Sequence, residues 1–234
     1  MRGIRAVLLI SVLFAFESLP ALDPYLSLEL TEDLSVHGFA MMKLSSDNLG
    51  STPHDFKNVQ EEAVKQLLDE ARWILSGMIY GFNFYYVPGS SELQIEDTFE
   101  LEPLSLIPKG DEKLKVEQVL GDYSTLTVQF VYWMDDYQKK RVYQYGGNRY
   151  SPAGGRGSAA IYEPGARMQS MKEAIKQALR EDLRTQYYSR PRKISGFLTF
   201  SHSPLIRIGS GSYTSSVDRF DGPLQPLQYR SVSE

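Results

Sequence analysis

SMKEAIKQALREDL, residues 170–183, decides the fold class. Met171, Ala174, Ile175, Ala178, Leu179 and Leu183 follow the spacing i, i+3, i+4, i+7, i+8, i+12, which aligns them on one helix face. Ser170 and Glu173 have the spacing of a capping box. Arg180 and Arg184 stand near the C-terminal end, where the helix dipole favours cations. Pro191 forbids continuation. The pattern predicts a helix over 171–188 whose apolar stripe is buried. Lys172, Lys176, Arg180 and Arg184 run along its flank, with aliphatic stems that cover the stripe's edge.

A related stretch lies upstream. EEAVKQLLDEAR (61–72) and KEAIKQALREDL (172–183) agree at six of twelve positions. Thr52-Pro53-His54-Asp55 forms a helix start, and apolar residues recur from Phe56 to Met78, so a first helix is expected over 53–79. Both helices lead into an aromatic segment beginning Gly-Phe, at Gly81-Phe82 and Gly196-Phe197. A duplicated helix–strand unit is one reading. The commoner one is that amphipathic helices share Ala, Glu, Lys, Gln and Leu.

Between and after the helices the period changes to that of strands. Phe82–Val87, Glu92–Glu102, Leu114–Leu120 and Thr125–Met134 alternate or run apolar, as do Ile194–Phe200 and Leu205–Ile208. Arg141–Tyr145 reads as the return partner of Thr125–Met134, and Val36–Leu44 as an early strand. Short connections favour an antiparallel sheet. The expected class is α+β: a mostly antiparallel sheet with two main amphipathic helices packed on one face. Two capped helices speak against an outer-membrane barrel. Gly146–Gly165, with six glycines and two prolines, reads as a mobile loop. The Ser-, Gly- and Pro-rich residues 209–234 read as an extended or disordered tail, leaving 22–208 as a single α+β domain.

The first residues carry an address. Arg2 and Arg5, the apolar run Ala6–Phe16, then Pro20-Ala21 follow the order of a signal peptide over 1–21. The run is too short to span the bilayer core, which needs about 20 residues. The chain has no cysteine, which removes disulfides and thiolate metal sites. None of its four asparagines begins an Asn-x-Ser/Thr acceptor. An exported chain lacking both features fits a bacterial periplasm best.

Charge is unevenly spread. Lys, Arg, Asp and Glu leave residues 22–136 at net −14 and residues 137–207 at net +10. The two parts can pack together through complementary fields, or the basic segment 137–207 can meet an anionic membrane surface. No nucleic-acid module is present.

Catalytic signatures are weak throughout. His37, His54 and His202 lack ligand spacing, so no metal is expected and no cofactor either. No serine stands in a G-x-S-x-G elbow. Gly155–Ala160 imitates a phosphate loop but lacks the strand before it and the helix after it. Asp135 and Asp136 are adjacent, so on a strand they point to opposite faces, and turn residues are the better reading. Around them cluster Tyr132, Trp133, Tyr137, Tyr143 and Tyr145, residue types that suit sheet packing and recognition surfaces alike. Trp133, Asp135, Asp136, Tyr137 and Tyr143 are therefore the binding candidates. The functional expectation is an exported, non-enzymatic envelope protein that binds a protein partner or an envelope component. The alternatives are a secreted hydrolase using carboxylates of the acidic half, or a peripheral membrane protein.

Overall fold

The computed structural model describes residues 23–34, 56–121, 124–147, 151–186 and 191–227. The expected signal segment, Val36–Leu44 and the Thr52–Asp55 helix start lie outside them. The described elements run β1 (Tyr25–Asp33), α1 (Phe56–Ile79), β2 (Phe82–Val87), β3 (Thr98–Pro103), β4 (Leu114–Gly121), β5 (Thr125–Trp133), α2 (Asp136–Tyr145), β6 (Ser151–Ala160), α3 (Ala166–Gln186), β7 (Lys193–Phe200), β8 (Leu205–Gly209), β9 (Ser212–Asp221) and β10 (Gln225–Leu227). The fold is α+β, with entirely antiparallel pairing in two sheets. One sheet has the order β1-β5-β4. The other is β3-β2-β7-β9-β6, with β8 and β10 attached to β9 and β7.

The first helix is buried nearly all round in its second half. Ala71, Ile74, Leu75, Met78 and Ile79 join one core with Leu28, Leu30, Val128 and Phe130 of the small sheet and Phe82, Leu198 and Phe200 of the large one. A helix covered by two sheets must also satisfy its buried polar groups. Arg72 donates from Nε to the Ile107 carbonyl at 2.8 Å, and the Ile107 N–H donates to Ser76 Oγ at 2.9 Å. These bonds pin the β3–β4 connection along α1.

The stripe of α3 is buried as its spacing predicts, from Met171 to Leu183. The helix starts earlier than expected, at Ala166, just after Gly165 in the left-handed region (φ 68°). Ser170 is therefore not its cap: its hydroxyl donates to the Arg167 carbonyl and meets Ser215. The echo between the helices has a spatial counterpart. Each feeds a strand, and those strands, β2 and β7, lie antiparallel side by side with Phe82 opposite Leu198 and Phe84 opposite Gly196.

Three expectations are corrected. The glycine-rich segment contains strand β6, paired with β9 from Ser151–Asp221 to Ala160–Ser212. Its glycines let α3 approach: a Cβ on Gly155 or Gly157 would overlap backbone atoms of Ala174. The expected tail instead supplies β9, which pairs with β6, β7 and β8, and β10, which pairs with β7. Small polar residues suit that strand because alternate positions, Thr214 and Asp218, face solvent while Tyr213 and Val217 enter the core. In the 92–102 segment only Thr98 onward is strand. Gln94 takes a positive φ of 53° in a tight turn closed by the Ser90–Ile95 bridge.

The charge asymmetry is spent internally in part. Asp97, from the acidic part, pairs with Arg180 at 2.7 Å and Lys176 at 3.2 Å of α3. Burial alone would raise its carboxyl, but bonds from the Gly89 N–H, Lys176 and Arg180 outweigh this and hold its pKa at about 2. A depressed carboxylate stabilises the fold above its unfolded pKa, near 4, and that contribution is lost as pH falls from about 4 to about 2. Asp97→Asn is expected to cost about 1–2 kcal/mol at neutral pH, allowing for partial solvent screening. Urea titrations at pH 7 and pH 2.5 check this: the difference between the two proteins should shrink at the lower pH.

Candidate functional site

The sequence candidates meet at the corner where β5 ends and α2 begins. Arg141–Tyr145 is not a strand there but the end of a helix, which corrects the expected hairpin. The reason is local. Asp135 caps the helix by accepting from the Gln138 N–H at 2.9 Å, while Gln138 Oε1 accepts from the Asp135 N–H at 2.9 Å. That reciprocal pair is a capping box, and it outweighs the strand preference of Val142, Tyr143 and Tyr145.

The helix is bolted to its surroundings. Gln138 donates from Nε2 to the hydroxyls of Tyr80 at 2.7 Å and Tyr132 at 3.1 Å. Arg141 donates to the Tyr80 carbonyl at 3.0 Å, and the Tyr145 hydroxyl donates to the Ile79 carbonyl at 3.2 Å. Those carbonyls belong to the end of α1, where helical acceptors lack intrahelical partners. Burial pushes the Tyr132 hydroxyl up to about 12, despite the bond from Gln138. The hydroxyl has a structural role, accepting from Gln138 and donating to Asp111 at 3.3 Å.

The five candidates divide by role. Asp135 is the cap and is also paired with Lys113 at 2.7 Å. Asp136 stands in the first turn with Lys139 at 2.9 Å, where a carboxylate favours the helix dipole. Both aspartates are thus engaged in holding the helix. Trp133, Tyr137 and Tyr143 are exposed by 50%, 67% and 46%. Trp133 packs against Tyr25, itself exposed, at the start of β1, with ring centroids 5.3 Å apart and planes tilted by 53°. Of the aromatic cluster, Tyr132 and Tyr145 are buried. The corner therefore presents a few rigidly based aromatic rings on a fixed helix.

Sequence reasoning missed a second feature, a buried charge cluster. Arg167 of α3 pairs through Nη1 with Glu70 of α1 and through Nη2 with Glu32 of β1. Its Nη2 also donates to the Thr31 carbonyl at 3.1 Å. The Tyr213 hydroxyl of β9 donates to Glu32 at 2.8 Å, and the guanidinium lies over the Tyr213 ring at 4.9 Å. Glu32 and Glu70 are both buried and both held by this one guanidinium. Four elements meet at this arginine, so the cluster joins the two sheets through α1 and α3. A groove of about 970 Å³ runs beside it, with Trp73, Leu68, Leu106 and Met168 among its apolar walls and Glu70 at its edge. The only advance signal was an arginine just before an apolar helix, which spacing alone does not mark as buried.

Among the described residues no group of His, Asp or Glu is arranged to hold a metal ion, and no helix is long and apolar enough to cross a membrane.

A family model matches residues 31–220, and the family is one of uncharacterized proteins. A curated relative, an uncharacterized protein of Treponema pallidum (strain Nichols), is 23% identical over 152 residues. The match covers 62% of this chain and 61% of the relative, so it spans less than two thirds of that protein's length. No solved structure matches.

Proposed function

The chain belongs to that family of uncharacterized proteins, and for it we propose an exported envelope protein that acts by binding a protein partner, without catalysis. The observation that carries this reading is the β5–α2 corner. Trp133, Tyr137 and Tyr143 stay exposed while the helix beneath them is fixed by a capping box and by bonds to the end of α1. Exposed Trp and Tyr on a rigid base give broad contact area at little entropic cost on association, which is how recognition surfaces concentrate their energy. The hydrolase alternative is less favoured, because the buried carboxylates of Glu32 and Glu70 are both engaged by one buried arginine. Attachment to anionic membrane through segment 137–207 is also less favoured, because Arg167, Lys176 and Arg180 are paired within the protein. Export rests on the N-terminal charge, apolar run, breaker and small residue, and the missing cysteines and glycan acceptors favour a bacterial envelope as the destination.

Two measurements test the reading. Fractionation of the native host should recover the chain outside the cytoplasm. Trp133→Ala/Tyr137→Ala/Tyr143→Ala should unfold within a few degrees of wild type, since these rings face solvent, yet lose roughly tenfold or more in affinity for whatever protein wild type co-purifies. A partner retained equally by both forms, or a cytoplasmic chain, would refute it.

A further inference from the structure

We infer that the groove beside α2 receives an acidic, apolar segment of a partner protein, with its carboxylate held between Arg141 and Lys140. This rests on the binding role proposed above and names the chemistry of its ligand. Tyr137, Lys140 and Arg141 project from successive turns of one helix face at spacings of three and four residues. They wall a groove of about 520 Å³ whose other sides include Leu104, Tyr145 and Phe197.

The charge of this groove is one-sided: among the described residues its lining contains two cations and no carboxylate. Among the described residues Arg141 is held by neutral oxygens, those of the Tyr145 hydroxyl at 2.7 Å, the Tyr137 hydroxyl at 3.4 Å and the Tyr80 carbonyl at 3.0 Å. Among the described residues neither Arg141 nor Lys140 makes an ion pair, whereas Lys113 and Lys139 nearby are each matched by an aspartate. A guanidinium carries five N–H donors, and three of Arg141's are engaged. Two remain for an incoming anion. A charge-assisted bond to a carboxylate is the strongest complement to such a fixed, uncompensated cation. The apolar walls to which Leu104 and Phe197 contribute then suit an aliphatic or aromatic side chain beside that carboxylate. A lipid surface fits less well, because headgroup recognition draws on clusters of four to eight basic residues, and only two cations line this groove.

The test is fluorescence anisotropy of the full chain with labelled nonapeptides carrying one Glu between Leu and Phe residues, each compared with its Gln counterpart. The acidic peptides should bind roughly tenfold more tightly than the Gln peptides, and the difference should shrink as salt rises. Lys140→Glu, an exposed substitution, should abolish the preference. Arg141→Lys should weaken it, and Trp133→Ala, outside the groove, should leave it intact. Equal binding of Glu and Gln peptides, or a preference that survives Lys140→Glu, would overturn the inference. So would binding of anionic vesicles in place of peptides. If no acidic peptide binds but the native partner is still lost on mutating the aromatic corner, the groove inference fails and the binding role stands.

Discussion

Arg167→Ala is expected to cost about 3–5 kcal/mol of folding stability, the range for breaking a buried ion pair from one side. Truncation leaves Glu32 and Glu70 buried with no cation between them, and takes from Tyr213 the guanidinium stacked on its ring. The loss is not local. Glu32 stands on the small sheet, Glu70 on α1 and Tyr213 on the large sheet, so the variant loosens the joint between the layers. Replacing the whole cluster should be far milder. Arg167→Met combined with Glu32→Leu and Glu70→Leu removes all three charges of the cluster together, and such swaps are often neutral or stabilising. Equilibrium urea unfolding of both proteins checks the pair of expectations. A single variant within about 1 kcal/mol of wild type would show that the cluster is dispensable.

Gly157→Ala is expected to cost about 3 kcal/mol or more. Overpacking typically costs about 1–3 kcal/mol when side chains can move aside. Here the added methyl meets the Ala174 amide nitrogen, the Ser170 carbonyl and the Glu173 carbonyl carbon, all backbone of α3. Only separation of β6 from α3 relieves the clash, and that exposes the stripe from Met171 to Leu179. Gly154→Ala is the control, because its new methyl would stand 3.0 Å from a side-chain oxygen of Asp218. It should change stability by less than about 1 kcal/mol. Thermal unfolding of the two variants separates the cases, and a Gly157→Ala loss as small as that expected for Gly154→Ala would mean that the strand tolerates mass on its helix side.

What was legible in the chain follows from how local each signal is. The stripe of α3 and the strands at 82–87, 114–120, 125–134, 194–200 and 205–208 rest on periodicity, which tertiary packing reinforces. Helix α2 was illegible as a helix because its aromatic and β-branched residues favour strands, while its true signal is one reciprocal bond pair between Asp135 and Gln138. Strand β6 was illegible because its glycines report contact with a helix that follows it in the chain, and no pattern within the strand announces that. The same holds for Arg167, whose partners lie 135 and 97 residues away. The aromatic candidates Trp133, Tyr137 and Tyr143 were found by composition. The two aspartates beside them proved to be helix supports, a role that adjacency on a presumed strand concealed. The sequence places Arg141 at the start of an expected strand and, with Lys140, in a basic segment, but does not mark either as a binding residue, because their lack of ion-pair partners among the described residues is a property of the assembled groove.

Site-specific photocrosslinking in the native host tests the central claim most directly. A benzophenone side chain at position 137 should yield a discrete adduct with an envelope protein, and the same probe at position 162 should not. Tyr162 is also exposed, at 76%, so the comparison controls for simple accessibility. Adducts at position 162 but not 137, or none at either, would contradict a recognition surface at the β5–α2 corner.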